Sequence, residues 1–580
     1  MKSLFYFCLI CAILLIYSCD GGKKVSRRST SEFNPIKIVN GGTLVVGIRA
    51  EPESLNPLLA LSQTSRNIIS LVFRRLADIN EDLRTFTPVL AKNWTFSPDS
   101  LSITFNLKTD VLWHDGMPFS AADIVFTYQM QTDPAIGWDG ISFKETIRSV
   151  DALDDSTVVF LFHRKSPAML MDAVEGYILP EHILASVSSE DMHKAEFNRR
   201  PVGTGPFKFQ GWKDQQTITL VRNNSYYETG KPHLDRIIFK VVPDNINLLS
   251  QLKSGEVDLV ESLYPRDFQA LSAKWEQGQS NIRPVSYLGR RYDFIGWNLI
   301  DPDHYRQKLK QEDNSLPIED YILPNRFFGS RKVRSALTMA LDREALTNAV
   351  NYGMAIPMHG PVPLILNAYN EAANVHWPYD PQQALRILSE EGWSDTDKDG
   401  ILDKDGIPFE FELITESGNT RWEQAATIIQ DQLAKIGVHV SPRLVEPALL
   451  YGKLLPLKEF DAVLIGWVVG LTMDYAPLFH SSSFFTPFHF TGYYSSKYDS
   501  LDDASKKSFN PAVIQKYYDE IAGLLSHDLP YTWLYYRQEC SAIHVRFKNV
   551  TIDKRGMFIN PEDWWVPVKE RSRIDKLFEG

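Results

Sequence analysis

Two adjoining stretches, VLWHDG at residues 111–116 and PFSAADIVF at residues 118–126, follow a run of alternating apolar and polar residues at 101–108. The alternation predicts a strand with one exposed face, because successive side chains point to opposite faces of a sheet. Asp-Gly at the end of the first stretch then predicts a tight turn. Ser120 is the predicted N-cap of a helix, since its hydroxyl can accept a hydrogen bond from a free N–H of the first turn. A strand, a turn and a helix therefore follow one another here.

The same mixture of strands and helices continues in both directions along the chain. Apolar runs predict strands at 42–49 and 461–467, while a helical periodicity of apolar residues predicts helices at 331–350 and 422–436. Asp380-Pro381 predicts the start of another helix, with an N-cap followed by proline in the first helical position. No repeat of fixed period is present, which argues against solenoids and propellers. The predicted fold class is α/β.

Composition and charge exclude several classes of protein. The chain has 580 residues, a formal net charge of −11, 44% hydrophobic residues and 23% charged residues. These values are typical of a soluble globular protein, and the length predicts several domains or two large lobes. The acidic balance argues against nucleic-acid binding, which requires a basic surface. Because the Gly-x-Ser-x-Gly and His-Glu-x-x-His motifs of hydrolases are both missing, we predict no enzyme activity and no cofactor.

The N-terminus has the features of an exported, lipid-anchored protein. Lys2 precedes an uncharged apolar run at residues 4–17. This run is shorter than the roughly 20 residues that span a bilayer, but it suits a signal peptide. It leads through Ile-Tyr-Ser to Cys19, which resembles a bacterial lipobox. We therefore predict a lipoprotein signal peptide at 1–18, lipid attachment to Cys19 and a polar tether at 19–35. An uncleaved anchor and an ordinary signal peptide are the alternatives.

Several segments occur in the same order as in a known family and are spread over almost the whole mature chain. They are LAKNW at 90–94, TFNLK at 104–108, the two stretches quoted first, GTGPF at 203–207, VRSAL at 333–337, ALDR at 340–343, YDPQQA at 379–384 and Gly466-Trp467. Together they resemble bacterial extracellular solute-binding protein family 5, the peptide- and nickel-type binding proteins of ABC importers.

The resemblance implies two α/β lobes of the type II periplasmic-binding-protein-like fold, in the large cluster with an extra inserted domain. Lobe I is expected to be discontinuous, at 36–57, 205–290 and 530–580, with the inserted domain at 58–204. Lobe II is expected at 291–529. Ligand is expected to bind between the lobes, a common location for small-molecule sites, and closure is expected to be a hinge motion.

The resemblance also implies a set of ligand contacts. The residue matching Trp467 ends a strand at the cleft, where an indole offers a flat apolar wall and one N–H donor. Peptide binders of the family place an aspartate three residues beyond this tryptophan, where the present chain has Gly470. Asp474 is the acid expected to act instead; the alternatives are that it caps the next helix and that Trp467 packs in the core. The predicted ligand-binding residues are Trp467, Asp474, Tyr475, Trp297 and Asn298.

The function implied by the resemblance is that of a substrate-binding lipoprotein of an ABC importer, which captures a peptide or a related small solute and delivers it to a membrane permease. Expected partners are the solute, the permease and ATPase subunits and the membrane through its lipid anchor, with the protein itself a monomer. Its expected location is the periplasmic or extracellular face of the bacterial membrane. A non-transport receptor or surface adhesin on the same scaffold is the alternative, and sugar oligomers, opines and metal chelates remain open as ligands.

One segment has the spacing of the first half of a calcium-binding loop, with carboxylates at positions 1, 3, 5 and 9 and glycine at position 6. These residues are Asp395, Asp397, Asp399, Asp403 and Gly400. Position 12 of such a loop should be a bidentate acid, and here it is Gly406. The segment is either a weak calcium site or a solvated Asp/Gly turn, and we assign no metal to it.

Overall fold

The computed structural model describes residues 38–311, 316–468, 470 and 474–577. The predicted signal peptide, Cys19 and the tether lie outside these residues. Among the described helices, none combines the length and the apolar content needed to cross a membrane.

The described residues form nineteen β-strands, and eleven of them belong to one large sheet. The strands are β1 (Thr43–Ile48), β2 (Ala77–Ile79), β3 (Phe86–Pro88), β4 (Ala91–Phe96), β5 (Ser102–Leu107), β6 (Ile147–Asp154), β7 (Thr157–Phe162), β8 (Phe207–Lys213), β9 (Thr217–Arg222), β10 (Arg236–Val241), β11 (Leu259–Val260), β12 (Ile282–Trp297), β13 (Ala355–Pro357), β14 (Asp403–Lys404), β15 (Ile407–Pro408), β16 (Glu410–Glu416), β17 (His439–Val445), β18 (Ala462–Val468) and β19 (Tyr531–His544).

Helices follow or separate these strands along the whole described chain. The helices are α1 (Gln63–Val72), α2 (Ala121–Thr132), α3 (Met169–Val174), α4 (Glu181–Leu184), α5 (Asn245–Ser254), α6 (Pro265–Glu276), α7 (Pro302–Leu309), α8 (Arg331–Met339), α9 (Arg343–Asn351), α10 (Pro381–Glu390), α11 (Thr420–Ala434), α12 (Pro447–Leu449), α13 (Ala476–Phe479), α14 (Ser496–Lys507), α15 (Pro511–Asp528) and α16 (Arg573–Leu577).

Two long central strands connect the two halves of the large sheet, whose order is β17-β16-β18-β12-β19-β11-β1-β10-β9-β8, with β13 also paired to β19. β12 and β19 are antiparallel, from Ile282 opposite His544 to Gly296 opposite Tyr531. The second half of β12 also pairs with β18, whereas the second half of β19 pairs with β11. The β12–β19 ladder therefore joins the β18 side of the sheet to the β1 side.

A smaller antiparallel sheet of order β4-β5-β7-β6 forms separately from the large one. Its inward-facing side chains, with those of α2, bury an apolar cluster that includes Trp113, Phe105 and Phe160. These elements fall inside the segment 58–204 that the resemblance assigns to an inserted domain. The boundaries of that domain and of the two lobes stay a prediction.

Local sequence signals predicted some helix ends correctly and missed one break. Ser120 caps α2 in a capping box with Asp123, and Asp380 caps α10, so both predicted helix starts are confirmed. The single helix predicted at 331–350 is wrong, because the chain forms α8 and α9 instead. The carboxylate of Asp342 accepts a hydrogen bond from the N–H of Ala345 and caps α9, so a second helix begins inside the segment predicted as one.

The stretch quoted first contacts the GTGPF stretch directly. The N–H of His114 donates to the carbonyl of Gly203 at 2.9 Å, and the N–H of Gly203 donates back to Nδ1 of His114 at 3.2 Å. The N–H of Gly205 donates to the carbonyl of Val72 at the end of α1. A Cβ on Gly203 would lie 1.9 Å from that same carbonyl oxygen, so only glycine fits this close approach.

This contact makes a prediction about stability. Gly203→Ala should lower the free energy of unfolding by about 1–3 kcal/mol, because the methyl group forces the backbones apart. Gly211→Ala is the matched control, since its Cβ would meet nothing within 4 Å. Urea unfolding followed by circular dichroism measures both variants. Equal midpoints for the two variants would contradict the proposed close packing.

Candidate functional site

The cavity that best fits a ligand site lies beside the β12–β19 ladder and has a volume of about 570 Å³. Its walls come from the end of β1, from α1, from the segment after β11, and from the middle of β12 and of β19. Arg421 at the start of α11 and Val468 at the end of β18 close it on the other side. The cavity thus has walls from both halves of the large sheet.

The cavity is strongly cationic, although the protein is acidic. Seven of its lining side chains are cationic and two are anionic: Arg49, Arg290, Arg291, Arg421, Arg537, Lys554 and Arg555 against Glu261 and Glu539. The chain as a whole has a net charge of −11. Positive charge is therefore concentrated here, where it attracts a ligand with an anionic group.

An irregularity in the central ladder directs two of these arginines toward the cavity. Leu288 pairs with Gln538 and Tyr292 pairs with Tyr536, so three residues of β12 lie opposite one residue of β19. The extra residues include Arg290 and Arg291, which line the cavity. Such bulges change the direction of side chains and are common beside functional sites.

The bulge is held in place by a hydrogen bond from the Tyr536 hydroxyl to the carbonyl of Gly289, at 2.6 Å. A side chain at Gly289 would collide with Glu539, since its Cβ would lie 2.7 Å from the Glu539 carboxylate. Glycine here therefore leaves room for one of the two acids of the cavity.

The arginines of the cavity repel one another. Desolvation, then the like charges of Arg537 and Arg421, lower the pKa of Arg291. Nε of Arg537 is buried without a hydrogen-bond partner among the described residues. Guanidinium groups bind carboxylates by paired hydrogen bonds, so an anionic ligand group would relieve the repulsion and satisfy the free donors.

Glu261, in the segment after β11, supplies the opposite charge in the cavity. Asn67 of α1 donates to Oε2 of Glu261 at 2.6 Å. Burial raises the pKa of the Glu261 carboxyl to about 7, and the nearby charge of Glu539 adds to the effect. A carboxyl group with this pKa gains its charge near neutral pH and would then favour a cationic ligand group.

None of the ligand-binding residues predicted from sequence lines the cavity, but Trp467 is next to Val468, which does. Trp467 is paired with Tyr292, and its ring stacks on Phe294, 6.0 Å between centroids. The next residue, Val468, pairs with Arg291 and lines the cavity. Because neighbouring residues of a strand point to opposite faces, the Trp467 indole lies in the aromatic cluster behind the cavity wall. Its contact with ligand stays a prediction.

Asp474 and Tyr475 follow in the next described segment and are not among the lining residues. The Asp474 side chain is 52% exposed, pairs with Lys506 at 3.1 Å and accepts a hydrogen bond from the N–H of Ala476 at the start of α13. Tyr475 is buried, and its hydroxyl donates to the carbonyl of Pro361 at 2.7 Å. Their roles toward ligand also stay predictions.

Trp297 and Asn298 at the end of β12 are fully buried. Nε1 of Trp297 donates to the Thr532 hydroxyl at 3.0 Å, and Nδ2 of Asn298 donates to the carbonyls of Lys458 and Phe460. In this structure both side chains fix the strand end from the inside, away from the cavity.

The acidic segment 395–403 forms hydrogen bonds within its own turn. Carboxylate oxygens of Asp395, Asp397 and Asp399 lie within 4.8 Å of one another. Asp403 instead accepts hydrogen bonds from the N–H and hydroxyl of Thr396, and Asp395 accepts from the N–H of Lys398. These contacts are those of an exposed Asp/Gly turn, and calcium binding stays untested.

Sequence reasoning missed the charged residues of the cavity. The signal available was the pair Arg290-Arg291 inside a segment that is otherwise strand-forming, since charged residues are unusual within a central strand. Glu261 gave no comparable signal, because its position depends on pairing between β11 and β19, far apart in sequence.

Comparison with known proteins agrees with this architecture. Residues 85–485 match the family described as "Bacterial extracellular solute-binding proteins, family 5 Middle". The oligopeptide-binding protein AppA of Bacillus subtilis (strain 168) is 32% identical over 562 residues, covering 96% of this chain and 97% of that protein.

Solved structures are similar over nearly the full length. AppA from Bacillus subtilis in complex with a nonapeptide has a TM-score of 0.74 and 31% identity, covering 92% of this chain and 100% of that one. NikZ from Campylobacter jejuni in complex with Ni(L-His) has a TM-score of 0.70 and 26% identity, covering 90% of this chain and 99% of that one. The predicted two-lobed α/β fold is therefore confirmed. The chain belongs to family 5 of the bacterial extracellular solute-binding proteins.

Proposed function

We propose that this protein is the substrate-binding lipoprotein of an ABC importer, which captures peptides between its two lobes and delivers them to a membrane permease. The observation that carries the proposal is the charge arrangement of the cavity, with several arginines near Arg291 and carboxylates at Glu261 and Glu539. A peptide has an ammonium group at one end and a carboxylate at the other, so it complements both sets of charges. The cavity volume of about 570 Å³ lies within the range of about 300–1,000 Å³ found for small-ligand pockets.

The relatives support the same substrate class. AppA of Bacillus subtilis is named as an oligopeptide-binding protein, and its solved structure contains a nonapeptide. NikZ binds Ni(L-His) on the same fold, so the fold by itself does not select peptides. Selection must come from the lining residues, and the charged ones in this chain are mainly cationic.

The division into lobes and the hinge follow from the same proposal. Lobe I would comprise 36–57, 205–290 and 530–580, with the inserted domain at 58–204 and lobe II at 291–529. β12 and β19 would be the crossing strands, and ligand would shift the equilibrium toward the closed state by binding it more tightly. The predicted ligand contacts Trp467, Asp474, Tyr475, Trp297 and Asn298 do not line the cavity in this structure, so their contact with ligand would require closure.

Mass spectrometry of the solute that co-purifies with the protein tests the substrate class. We expect peptides with free termini. Recovery of a single non-peptide solute that binds stoichiometrically and is displaced by no peptide would contradict peptide capture.

From the arginine cluster we predict a contact between Arg291 and the C-terminal carboxylate of the peptide. Arg291→Ala should weaken binding of a synthetic nonapeptide by about 1.5–3 kcal/mol, the usual value of a hydrogen bond to a charged group. The same substitution should change little when the peptide is amidated at its C-terminus. Isothermal titration measures both peptides, and Arg386→Ala, at an exposed position on α10, is the control. An equal loss for the acid and the amide would contradict a carboxylate contact.

Glu261 makes a prediction about pH. Below its pKa of about 7 the carboxyl is neutral, and above it the carboxylate attracts the peptide ammonium. Affinity for a peptide with a free N-terminus should therefore rise about tenfold between pH 5.5 and 7.0, a range below that in which an α-amino group titrates. Glu261→Gln should remove this rise, and an N-acetylated peptide should lack it in the parent protein. A rise of the same size in Glu261→Gln would assign it to another group.

The lipid anchor is tested separately. Cys19→Ala should leave unprocessed precursor or release soluble protein, because no other cysteine follows an apolar run of this kind. Cys540→Ala, at a buried strand position, is the matched control and should stay with the membrane fraction. Membrane fractionation that is unchanged by Cys19→Ala would contradict lipid attachment.

A further inference from the structure

A cluster of two histidines and a glutamate lies in lobe II, outside the cavity described above. One ring nitrogen each of His359 and His376 and a carboxylate oxygen of Glu371 lie within 4.8 Å of one another. The two imidazole rings are 4.5 Å apart between centroids, and Nε2 of His376 lies 2.9 Å from Oε1 of Glu371. None of the three residues lines the cavity.

Two polar atoms in this cluster are buried without a hydrogen-bond partner among the described residues. They are Nδ1 of His359 and Oδ1 of Asn374. Buried polar atoms nearly always have partners, and exceptions can indicate a group that is missing from the site. Here the unpartnered nitrogen belongs to the same histidine whose ring faces His376.

The chain segments that carry the cluster are fixed by contacts that do not use the cluster itself. The buried Arg343 donates to the carbonyls of Met358 and Trp377, the neighbours of His359 and His376, at 2.9 and 2.8 Å. One guanidinium thus holds both histidine-bearing segments in place. Such support from outside keeps ligating side chains close together before an ion arrives.

α15 provides a second attachment. The hydroxyl of Ser526 accepts a hydrogen bond from the N–H of Val375, and its carbonyl accepts one from Nε1 of Trp377. Glu371 is oriented in turn by the Tyr369 hydroxyl, which donates to its other oxygen. A carboxylate oriented by a neighbouring hydroxyl is typical of the outer shell of metal sites.

We propose that His359, His376 and Glu371 form a binding site for a divalent transition-metal ion such as Zn²⁺ or Ni²⁺. Two imidazoles and one carboxylate suit these borderline ions, whereas Ca²⁺ and Mg²⁺ prefer oxygen ligands alone. Ligands about 2.0–2.1 Å from a tetrahedral ion lie roughly 3.3 Å apart, so the cluster must contract on binding. The side chains of His376 and Glu371 are 48% and 42% exposed, which leaves them free to make this movement.

The bound ion would connect the segment after β13 to the turn before α10, leaving at least one coordination position for water. Since the site is separate from the cavity, this proposal does not depend on which solute the cavity takes. It concerns an ion that stays with the protein rather than a transported one.

Titration of tag-free, chelator-treated protein with Zn²⁺ and Ni²⁺ tests the proposal. We expect one site per chain in isothermal titration, no comparable binding of Ca²⁺ or Mg²⁺, and a rise in melting temperature with Zn²⁺. Co²⁺ should give the visible absorption of a site with nitrogen ligands.

His376→Ala should weaken Zn²⁺ binding by more than about tenfold and remove the Co²⁺ spectrum, and Glu371→Gln should weaken binding in the same direction. His376 is exposed, so loss of folding is not expected, and circular dichroism of the metal-free variant checks this. His439→Ala, at an exposed position on β17, is the control. Failure of the parent protein to bind either ion, or equal binding by the parent and His376→Ala, would overturn the proposal.

Discussion

The antiparallel ladder between β12 and β19 is the constraint on which the rest of the structure depends. These two strands pair along almost their whole length, and they alone connect β18 on one side of the described sheet to β11 on the other. One of the ladder's two irregularities lies between Leu288 and Tyr292, so an interruption of the pairing lies beside the cavity.

The bulge explains why a cationic cavity forms within an acidic protein. A regular ladder would have turned Arg290 and Arg291 alternately to the two faces of the sheet. The extra residues instead bring both guanidiniums to the cavity, near Arg537 and Arg421. Like charges close to one another raise the free energy of a partly desolvated site. An anionic group bound among these arginines would therefore remove part of that increase.

The sequence predicted the elements whose causes are local. The capping box of Ser120 and Asp123 and the Asp380 cap depend on residues at most three apart, and both were recognised correctly. The break between α8 and α9 was missed because an unbroken apolar stripe concealed the cap at Asp342. The cavity could not be predicted, since Arg291, Glu261 and Arg537 become neighbours only through pairing between strands that are distant in sequence.

The segments that identify the family mainly stabilise the fold. His114 exchanges hydrogen bonds with Gly203, and the close contact of Gly203 with Val72 fixes α1 against the segment that follows the small sheet. A Cβ on Gly466 would lie 2.3 Å from Oδ1 of the buried Asp293, so the glycine before Trp467 is required by packing between β18 and β12. Residues with such roles are tied to the scaffold whatever the ligand is. The charged side chains of the cavity, such as Arg291 and Glu261, take no part in these contacts and are free to differ between relatives solved with a nonapeptide and with Ni(L-His). Ligand preference in this chain therefore has to be sought in Arg291, Glu261 and their neighbours rather than in the motifs that reveal its family.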